Sequence, residues 1–409
     1  MDTAALNPST RSKDRPALSR RAALRIGAAG AGVAAGVIGS SRALAIKAFG
    51  GSIVKPLPRR WFHDYGSNAE MRWDSVLPRY LTPTPRLFVR DHTATPRIDA
   101  RSYALEIFGD GLRRPRGADD PVTLSYERLR SLPARTVVSL VECTGNGRAF
   151  FGTQQGTPAD GTPWTLGGVG VVRWRGVPLA HVLNEVGRSA DAVDIMATGL
   201  DDPYVSDGVD HGRVRRPFPV AKALDDALLA YEANGESLPP DHGFPVRLLL
   251  PGWVGIANIK WLGSLEVSAQ RLESPWNTTW YRMTGDAYPD DSPPLTVLPV
   301  KSALELPWDA RLPRRRTLLT GRSWTGAGRI TRVQLSTDGG RRWHDARLTG
   351  QCGQGWTPWE YDWRPRRRGA YEILARASDS EGRTQPRRVP FNDGGYFFWA
   401  VVRHPVTVV

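Results

Sequence analysis

One stretch, residues 137–148, constrains the fold and the chemistry of this chain more than any other. It begins with Val137-Val-Ser-Leu-Val141, an apolar and β-branched run that predicts a buried strand. It then changes abruptly to Cys143-Thr-Gly-Asn-Gly, where two glycines around an asparagine indicate a tight turn with bare backbone N–H groups. A thiol at a strand end, beside such a turn and Arg148, suits a metal ligand or a nucleophile. This stretch alone leaves open a third reading, a small buried hydrophobic residue.

The composition is that of an ordinary globular protein, with 409 residues, 40% hydrophobic and 23% charged. This length suffices for about two or three domains. The net charge of +14 comes mostly from arginine, which indicates either an anionic partner or an arginine-favouring genome. We expect no nucleic-acid partner. The only two cysteines, Cys143 and Cys352, exclude a disulfide scaffold.

The N-terminal segment, residues 1–45, has the form of a twin-arginine export signal. Arg20-Arg21 precedes a mildly apolar run from Ile26 to Ile38, which is too weak for a stable membrane span, and Ala43-Leu-Ala45 supplies small residues for cleavage. We expect the twin-arginine translocase to export the chain already folded, to a periplasm or outside the cell. A disordered basic arm is the alternative.

The rest of the chain predicts an α+β fold, because strands and short helices alternate without a regular βαβ rhythm. We expect an extended arm over 46–85, a mixed catalytic domain over 86–270, a proline-rich connector over 271–300 and an antiparallel β-sandwich over 301–409. Within the mixed domain, Thr123 is predicted to cap a helix that runs through Leu132, and a second short helix is expected around Leu224–Leu229.

Several polar residues could form a site, but their types do not decide which one. The histidines lack the standard zinc spacings, and Gly167-Gly-Val-Gly170 lacks the strand–turn–helix context of a dinucleotide site. Arg90, Arg148 and Arg247 each lie at the edge of an apolar strand. They could converge on an oxyanion or a phosphate, or each could be solvated.

Taken together, the segments resemble the sulfite oxidase family of molybdopterin-dependent oxidoreductases, in a haem-free, exported bacterial form. The similarity covers roughly residues 85–409 and is carried by these motifs: Phe88-Val-Arg-Asp-His92, Cys143-Thr-Gly-Asn-Gly-Arg148, Tyr231-Glu-Ala-Asn-Gly-Glu236, Asp241-His-Gly-Phe-Pro-Val-Arg-Leu-Leu-Leu-Pro-Gly252, Lys260-Trp261, Gly321-Arg-Ser-Trp324 and Leu335-Ser-Thr-Asp-Gly-Gly-Arg-Arg-Trp343. The last two resemble a dimerisation domain. The resemblance implies an immunoglobulin-like sandwich and a homodimer.

The resemblance also implies a role for each matching residue. Cys143 would ligate molybdenum, while Arg90, Arg148 and Trp164 would line the substrate pocket and Tyr281 would donate a hydrogen bond beside the metal. The molybdenum cofactor would be held by Phe88, Val89, Arg90, Asp91, His92, Asp201, His242, Arg247, Asn258, Ile259 and Lys260. A small anionic sulfur substrate, sulfite first, would be oxidised to sulfate.

The chain departs from the family pattern in three places. It has no Cys-x-x-Cys-His haem motif, so the resemblance implies an external acceptor such as a c-type cytochrome. Phe391-Asn-Asp-Gly-Gly-Tyr396 lacks the arginine that the family places in the pocket, and Gly147 stands where vertebrate members carry a second arginine. Because the pocket has fewer cations, two alternatives stay open: the chain could be a sulfane dehydrogenase, or it could act on another oxyanion.

Two other classes of function stay open at this point. A secreted polyanion-binding protein would use the net charge of +14 and carry no metal. An acyl-transfer enzyme would use Cys143 as its nucleophile, with His92 or His242 as the candidate base.

Overall fold

A computed structural model describes residues 52–75, 79–350 and 353–409 of this chain. The predicted export signal and Cys352 lie outside the described residues. Three sheets and a hairpin occupy the N-terminal two thirds of the described part. The N-terminal sheet contains β1 (Phe62–Asp64), β2 (Asn68–Met71) and β3 (Val89–Arg90), and a separate hairpin joins β9 (Val205–Ser206) to β10 (Val209–Asp210). The second sheet, which we call the β8 sheet, contains β4 (Ala104–Phe108), β5 (Val122–Ser125), β8 (Asp194–Gly199), β11 (Arg215–Pro219) and β15 (Leu262–Ser268). The third, which we call the β7 sheet, contains β6 (Arg135–Glu142), β7 (Val169–Pro178), β12 (Leu228–Ala233), β13 (Glu236–Ser237) and β14 (Arg247–Leu249).

Five short α-helices lie between or directly after these strands in the described residues. They are α1 (Tyr126–Ser131), α2 (Ala149–Gln155), α3 (Leu179–Glu185), α4 (Val220–Asp225) and α5 (Pro275–Thr278). The prediction of a mixed fold of strands and helices is therefore confirmed. Among the described residues, no helix has both the length and the apolar character needed to cross a membrane.

The β7 sheet is buried on both faces, which explains why its strands are nearly continuous apolar runs. One face shares a core with the β8 sheet, to which Val171 and Leu229 contribute from one side and Ile107 and Leu265 from the other. The opposite face packs under the segment around Leu87 and Phe88; its own residues there include Val141, Val172, Trp174 and Leu249. Each fully buried Val or Leu stabilises the fold by about 1.5–3 kcal/mol. This double burial places the end of β6, and with it Cys143, in the interior.

Two predicted helices are wrong in their bounds. Val122–Ser125 is a strand that pairs with β4, and the helix begins only at Tyr126, where Ser125 Oγ accepts a hydrogen bond from Arg128 N at 3.1 Å. The helix expected around Leu224–Leu229 ends at Asp225, and Leu228 begins β12. In both places, pairing with neighbouring strands outweighs the local helical pattern.

Two further sheets make up the C-terminal part. One contains β16 (Lys301–Leu304), β18 (Thr317–Trp324), β21 (Arg347–Leu348) and β22 (Thr357–Trp363), and the other contains β17 (Ala310–Leu312), β19 (Ile330–Ser336), β20 (His344–Asp345), β23 (Gly369–Asp379) and β24 (Arg403–Val408). Leu319 and Trp359 of the first sheet share a core with Val333 and Ile373 of the second. The predicted domain boundaries stay predictions.

Candidate functional site

Cys143 follows β6 directly and opens the Cys143 loop, which we define as Cys143–Arg148. The backbone N–H of Cys143 donates to Gly168 O at 2.8 Å, and its carbonyl accepts from Asn146 N at 2.9 Å. Gly147 has φ +95°, and an added Cβ there would lie 3.0 Å from Phe398 Cβ, so this position requires glycine. Burial raises the pKa of the Cys143 thiol, although Arg90 and Arg148 act in the opposite direction. The thiol is thus held rigidly, and two cavities meet at it.

The first of these is the Lys260 cavity. Nearly all the residues predicted to hold a cofactor line it: Phe88, Arg90, Asp91, His92, Cys143, Asp201, His242, Arg247, Asn258, Ile259 and Lys260. Val89 is the exception, because its side chain is buried with Phe62 and Ala69 in a separate small core. The structure therefore brings together segments that are far apart in the sequence.

The Lys260 cavity contains charges of both signs, because Arg90, Arg247 and Lys260 line it together with Asp91, Asp201 and Asp241. Arg247 donates to His242 O and to Asn258 O, both at 3.2 Å, while its Nε has no partner among the described residues. Lys260 is paired with Asp91 and also donates to Asp241 O at 2.8 Å. Burial lowers the pKa of Arg247 to about 10. A cation that is this costly to bury is stabilised when an anionic group binds next to it.

Two residues that order the wall of this cavity were missed by the sequence analysis: Asp241, which lines it, and Lys55, which contacts the lining residue His242. The Lys55 ammonium donates to Leu87 O and lies 3.4 Å from His242 Nε2, and burial lowers its pKa to about 7. The Asp241 carboxylate accepts from Lys55 N at 2.8 Å and from Thr95 Oγ1 at 2.7 Å, which fixes the N-terminal segment against the cavity wall. Asp241 belongs to the motif Asp241–Gly252, but no sequence pattern indicates that Lys55 lies near this motif.

The residues present fit a molybdopterin. Three buried polar atoms in the wall, Arg247 Nε, Asp201 Oδ1 and Thr144 Oγ1, have no hydrogen-bond partner within the described part of the chain. Such atoms require a polar ligand that offers both donors and acceptors, as a phosphate-bearing pterin does. The described residues contain no group of three or more His, Cys, Asp or Glu side chains that could hold a metal.

The second cavity, the Arg148 cavity, shares Arg90, Asp91, His92, Cys143 and Tyr281 with the first. The predicted substrate residues Arg148 and Trp164 also line it. Besides the shared Asp91, its wall contains two further carboxylates, those of Asp160 and Asp393. The segment that lacks the family's arginine therefore does reach this cavity, but it brings a negative charge instead of a positive one.

Both arginines of the Arg148 cavity are oriented by protein atoms. Arg148 donates to Gly394 O through Nε at 3.1 Å and through Nη2 at 2.9 Å, and to Thr162 O through Nη1 at 3.1 Å. Arg90 donates to Asp91 O at 2.6 Å, and its Nη2 lies 3.0 Å from His92 Nε2. Each guanidinium has five N–H donors, so both keep donors for a ligand.

Tyr281 has an unusual backbone conformation, with φ +57°. Its ring stacks on Tyr396 with centroids 5.1 Å apart, and its hydroxyl lies 3.3 Å from His92 Nε2 and 3.5 Å from Arg90 Nη2. Left-handed backbone at a non-glycine residue is strained and is found most often at functional sites. The ring stacking and the two polar neighbours fix the position of the Tyr281 hydroxyl, and Tyr281 lines both cavities.

Arg216 is a further residue that the sequence analysis missed. It is only 1% exposed and donates to Trp276 O and, at 2.7 Å, to Leu295 O. The backbone N–H of Leu295 in turn donates to Tyr281 O at 2.8 Å. Arg216 thereby ties together the two ends of the segment that carries Tyr281. In the sequence, Arg216 is the second of two arginines before Pro217, and nothing distinguishes it from an arginine that is exposed to solvent.

The two histidines considered as bases have their Nε2 atoms engaged elsewhere. His92 Nε2 accepts from Trp276 Nε1 at 3.3 Å, and His242 Nε2 lies against Lys55. Burial lowers the pKa of both rings well below the usual value, so both are neutral. This arrangement favours positioning roles for them and gives no support to an acyl-transfer site at Cys143.

Comparison with known proteins gives consistent matches. Residues 92–276 match the family described as "Oxidoreductase molybdopterin binding domain", and residues 293–402 match "Mo-co oxidoreductase dimerisation domain". The chain is 34% identical over 343 residues to sulfite oxidase of Gallus gallus, which covers 79% of this chain and 72% of that protein. It is 32% identical to mitochondrial sulfite oxidase of Mus musculus over 79% of this chain, and it spans 60% of the length of that relative.

A solved structure is also similar. The sulfane dehydrogenase SoxCD of Paracoccus pantotrophus superimposes with a TM-score of 0.71 and 28% sequence identity, over 85% of this chain and 87% of the matched chain. Both the sequence and the fold are thus shared across most of the described residues.

Proposed function

Since the chain belongs to the sulfite oxidase family, we propose that it is a molybdenum-dependent oxidoreductase that oxidises a sulfur substrate, with sulfite as the first candidate. One observation carries this proposal. Cys143 lies where a cavity with buried charges and unpartnered polar wall atoms meets a second cavity that is lined by two oriented arginines. The first arrangement suits a resident anionic cofactor, and the second suits a substrate that binds and leaves.

When bound, molybdopterin supplies the redox and oxygen-transfer chemistry of the molybdenum centre. The chain supplies the rest. The Cys143 thiolate would hold the metal, and His242, Arg247 and Lys260 would hold the anionic part of the cofactor. The guanidinium groups of Arg90 and Arg148 would bind and orient a substrate oxyanion.

A sulfane dehydrogenase is the second candidate, and the acidic wall of the Arg148 cavity favours it. Asp160 and Asp393 oppose the two arginines, which disfavours a small dianion relative to a less charged, carrier-bound sulfur. SoxCD, the similar solved structure, is a sulfane dehydrogenase by name.

The partners and the compartment complete the proposal. Electrons would pass to an external acceptor such as a c-type cytochrome. The two C-terminal sheets would form an immunoglobulin-like sandwich and pair two chains as a homodimer, which the match of residues 293–402 to a dimerisation domain supports. Residues 1–45 would direct export through the twin-arginine translocase, and the protein would act in a periplasm or outside the cell.

The test is a steady-state assay of sulfite, thiosulfate and sulfoxides, with ferricyanide or a cytochrome c as the electron acceptor. We expect saturable oxidation of sulfite or thiosulfate by protein that contains molybdenum. Molybdenum-loaded protein that turns over none of these sulfur compounds would contradict the proposed reaction. Sedimentation at micromolar concentration checks the homodimer, and a monomer there would contradict it.

A further inference from the structure

A buried polar network lies behind the Cys143 loop and joins it to the C-terminal sheets. Glu142, the last residue of β6, is completely buried, and its Oε1 accepts from Lys301 Nζ at 2.8 Å and from Asn146 Nδ2 at 2.9 Å. Its Oε2 accepts from Trp324 Nε1 at 2.9 Å. Lys301 begins β16 and Trp324 ends β18, so these two donors come from the C-terminal part of the chain.

The same network holds the backbone of the loop. Lys301 Nζ donates to Asn146 O at 2.9 Å, and Asn146 Oδ1 accepts from Gly168 N at 3.0 Å. The carbonyl of Gly168 in turn accepts from Cys143 N. One lysine from the C-terminal part is thus connected to both sides of the cysteine, through the carboxylate before it and through the turn after it.

Two more contacts follow the same pattern further along the loop. Phe397 N donates to Thr144 O at 3.0 Å, and Gly394 O accepts from Arg148. Glu142, Thr144, Asn146 and Arg148 therefore each bond to residues beyond position 300. A link that served only to join the two parts of the chain would not need to contact every second residue from Glu142 to Arg148.

We propose that the C-terminal part of the chain sets the position of Cys143, with Glu142 and Lys301 as a pair of positioning residues. The proposal rests on the proposed function only in taking Cys143 as the metal ligand. A buried ion pair is a poor source of stability, because desolvation offsets most of the attraction between the charges. What such a pair provides is a unique geometry, since a carboxylate held by three donors has one favourable place.

The test measures the reactivity of Cys143 in the full-length, cofactor-free chain. Cys352→Ser is the common background, which leaves Cys143 as the only thiol. We expect Lys301→Met to raise the alkylation rate by iodoacetamide roughly tenfold, because an unpaired Glu142 releases the loop. Glu142→Gln combined with Lys301→Gln removes both charges but keeps hydrogen-bonding groups, and should restore the rate to within about threefold of the parent.

Ile373→Ala is the matched control. Ile373 is buried in the core between the C-terminal sheets and does not touch the Cys143 loop. This variant should lower the melting temperature at least as much as Lys301→Met and leave the alkylation rate unchanged. If Lys301→Met fails to fold, Trp324→Phe removes a single donor to Glu142 and should raise the rate about threefold.

A second measurement uses protein produced with the cofactor. Lys301→Met should contain at most about a third of the parent's molybdenum, and the double glutamine variant should recover it. Alkylation at the parental rate in Lys301→Met, or an equal rise in Ile373→Ala, would overturn the proposal. The alkylation results do not depend on turnover, so a failure of the sulfur assay would leave them interpretable.

Discussion

The two cavities that meet at Cys143 differ in how far the protein itself satisfies their polar groups. In the Lys260 cavity, burial lowers the pKa of Arg247 to about 10, and three wall atoms have no partner among the described residues. In the Arg148 cavity, the guanidinium of Arg148 already donates to carbonyl oxygens, and the carboxylates of Asp91, Asp160 and Asp393 accompany the two arginines. A ligand can supply the partners that the first cavity lacks, whereas protein atoms already hold the main cation of the second. This difference suits a resident cofactor in the first cavity and an exchanging substrate in the second.

The largest expected effect comes from the residue that both cavities share. Cys143→Ser should lower kcat/KM by at least about a thousandfold while leaving the melting temperature and the circular dichroism spectrum close to wild type. The hydroxyl fits the same space but is a poor ligand for a high-valent metal. Activity within tenfold of wild type would show that Cys143 does not take part in the reaction, and the separate roles assigned to the two cavities would then have no basis.

A change confined to the Lys260 cavity should affect cofactor retention. We expect Arg247→Met to reduce the molybdenum content at least tenfold, because removing one partner from a buried ionic contact costs about 3–5 kcal/mol. Arg247→Lys keeps the charge and should lose less. Elemental analysis of the purified variants checks this, and full loading of Arg247→Met would contradict the assignment of this cavity.

Lys55, which contacts the cavity residue His242, gives a test of the cavity wall without any cofactor. Burial lowers its pKa from 10.5 to about 7 in the folded chain, so between these values the unfolded chain binds one more proton and stability rises with pH. The free energy of unfolding of cofactor-free protein should therefore rise by about 1.4 kcal/mol per pH unit across this range through Lys55, and Lys55→Met should lack that gain. Denaturant titrations at several pH values measure it. Identical pH slopes for the two proteins would show that Lys55 is not desolvated.

The smallest effect is expected in the Arg148 cavity. Asp393→Asn removes a negative charge from its wall and should lower the KM for sulfite about twofold to fivefold with little change in kcat. Asp119→Asn, an exposed carboxylate outside the cavity, is the control and should leave both constants unchanged. A rise in KM on Asp393→Asn would show that this carboxylate helps to bind the substrate and would favour a less anionic one.

The two cavities also differ in how far the sequence could predict them. The Lys260 cavity is built from contiguous motifs, Phe88–His92, Asp241–Arg247 and Asn258–Lys260, so nearly all of its wall could be named in advance. The Arg148 cavity gathers single residues such as Asp160 and Tyr396 from distant loops, and no spacing rule connects them. Lys55 and Arg216 were missed for the same reason. Their importance comes from burial, which depends on the tertiary fold and leaves little trace in the local sequence.

The fold shows the same division between local and long-range causes. The strand β6 was predictable from its apolar run Val137–Val141, because both faces of its sheet are buried. Leu228 was assigned to a helix because its neighbours are helical, but β12 pairs with β7 and β14 on either side. Such pairing is decided by residues about twenty to fifty positions away, such as Leu249 and Pro178, which a local pattern cannot contain.

The most direct test of the central claim is the molybdenum content of the purified wild-type chain, produced in a host that makes molybdopterin. If Cys143 and the Lys260 cavity hold the cofactor, elemental analysis should find about one molybdenum per chain, retained through gel filtration. Folded protein from such a host that contains no molybdenum would contradict the account.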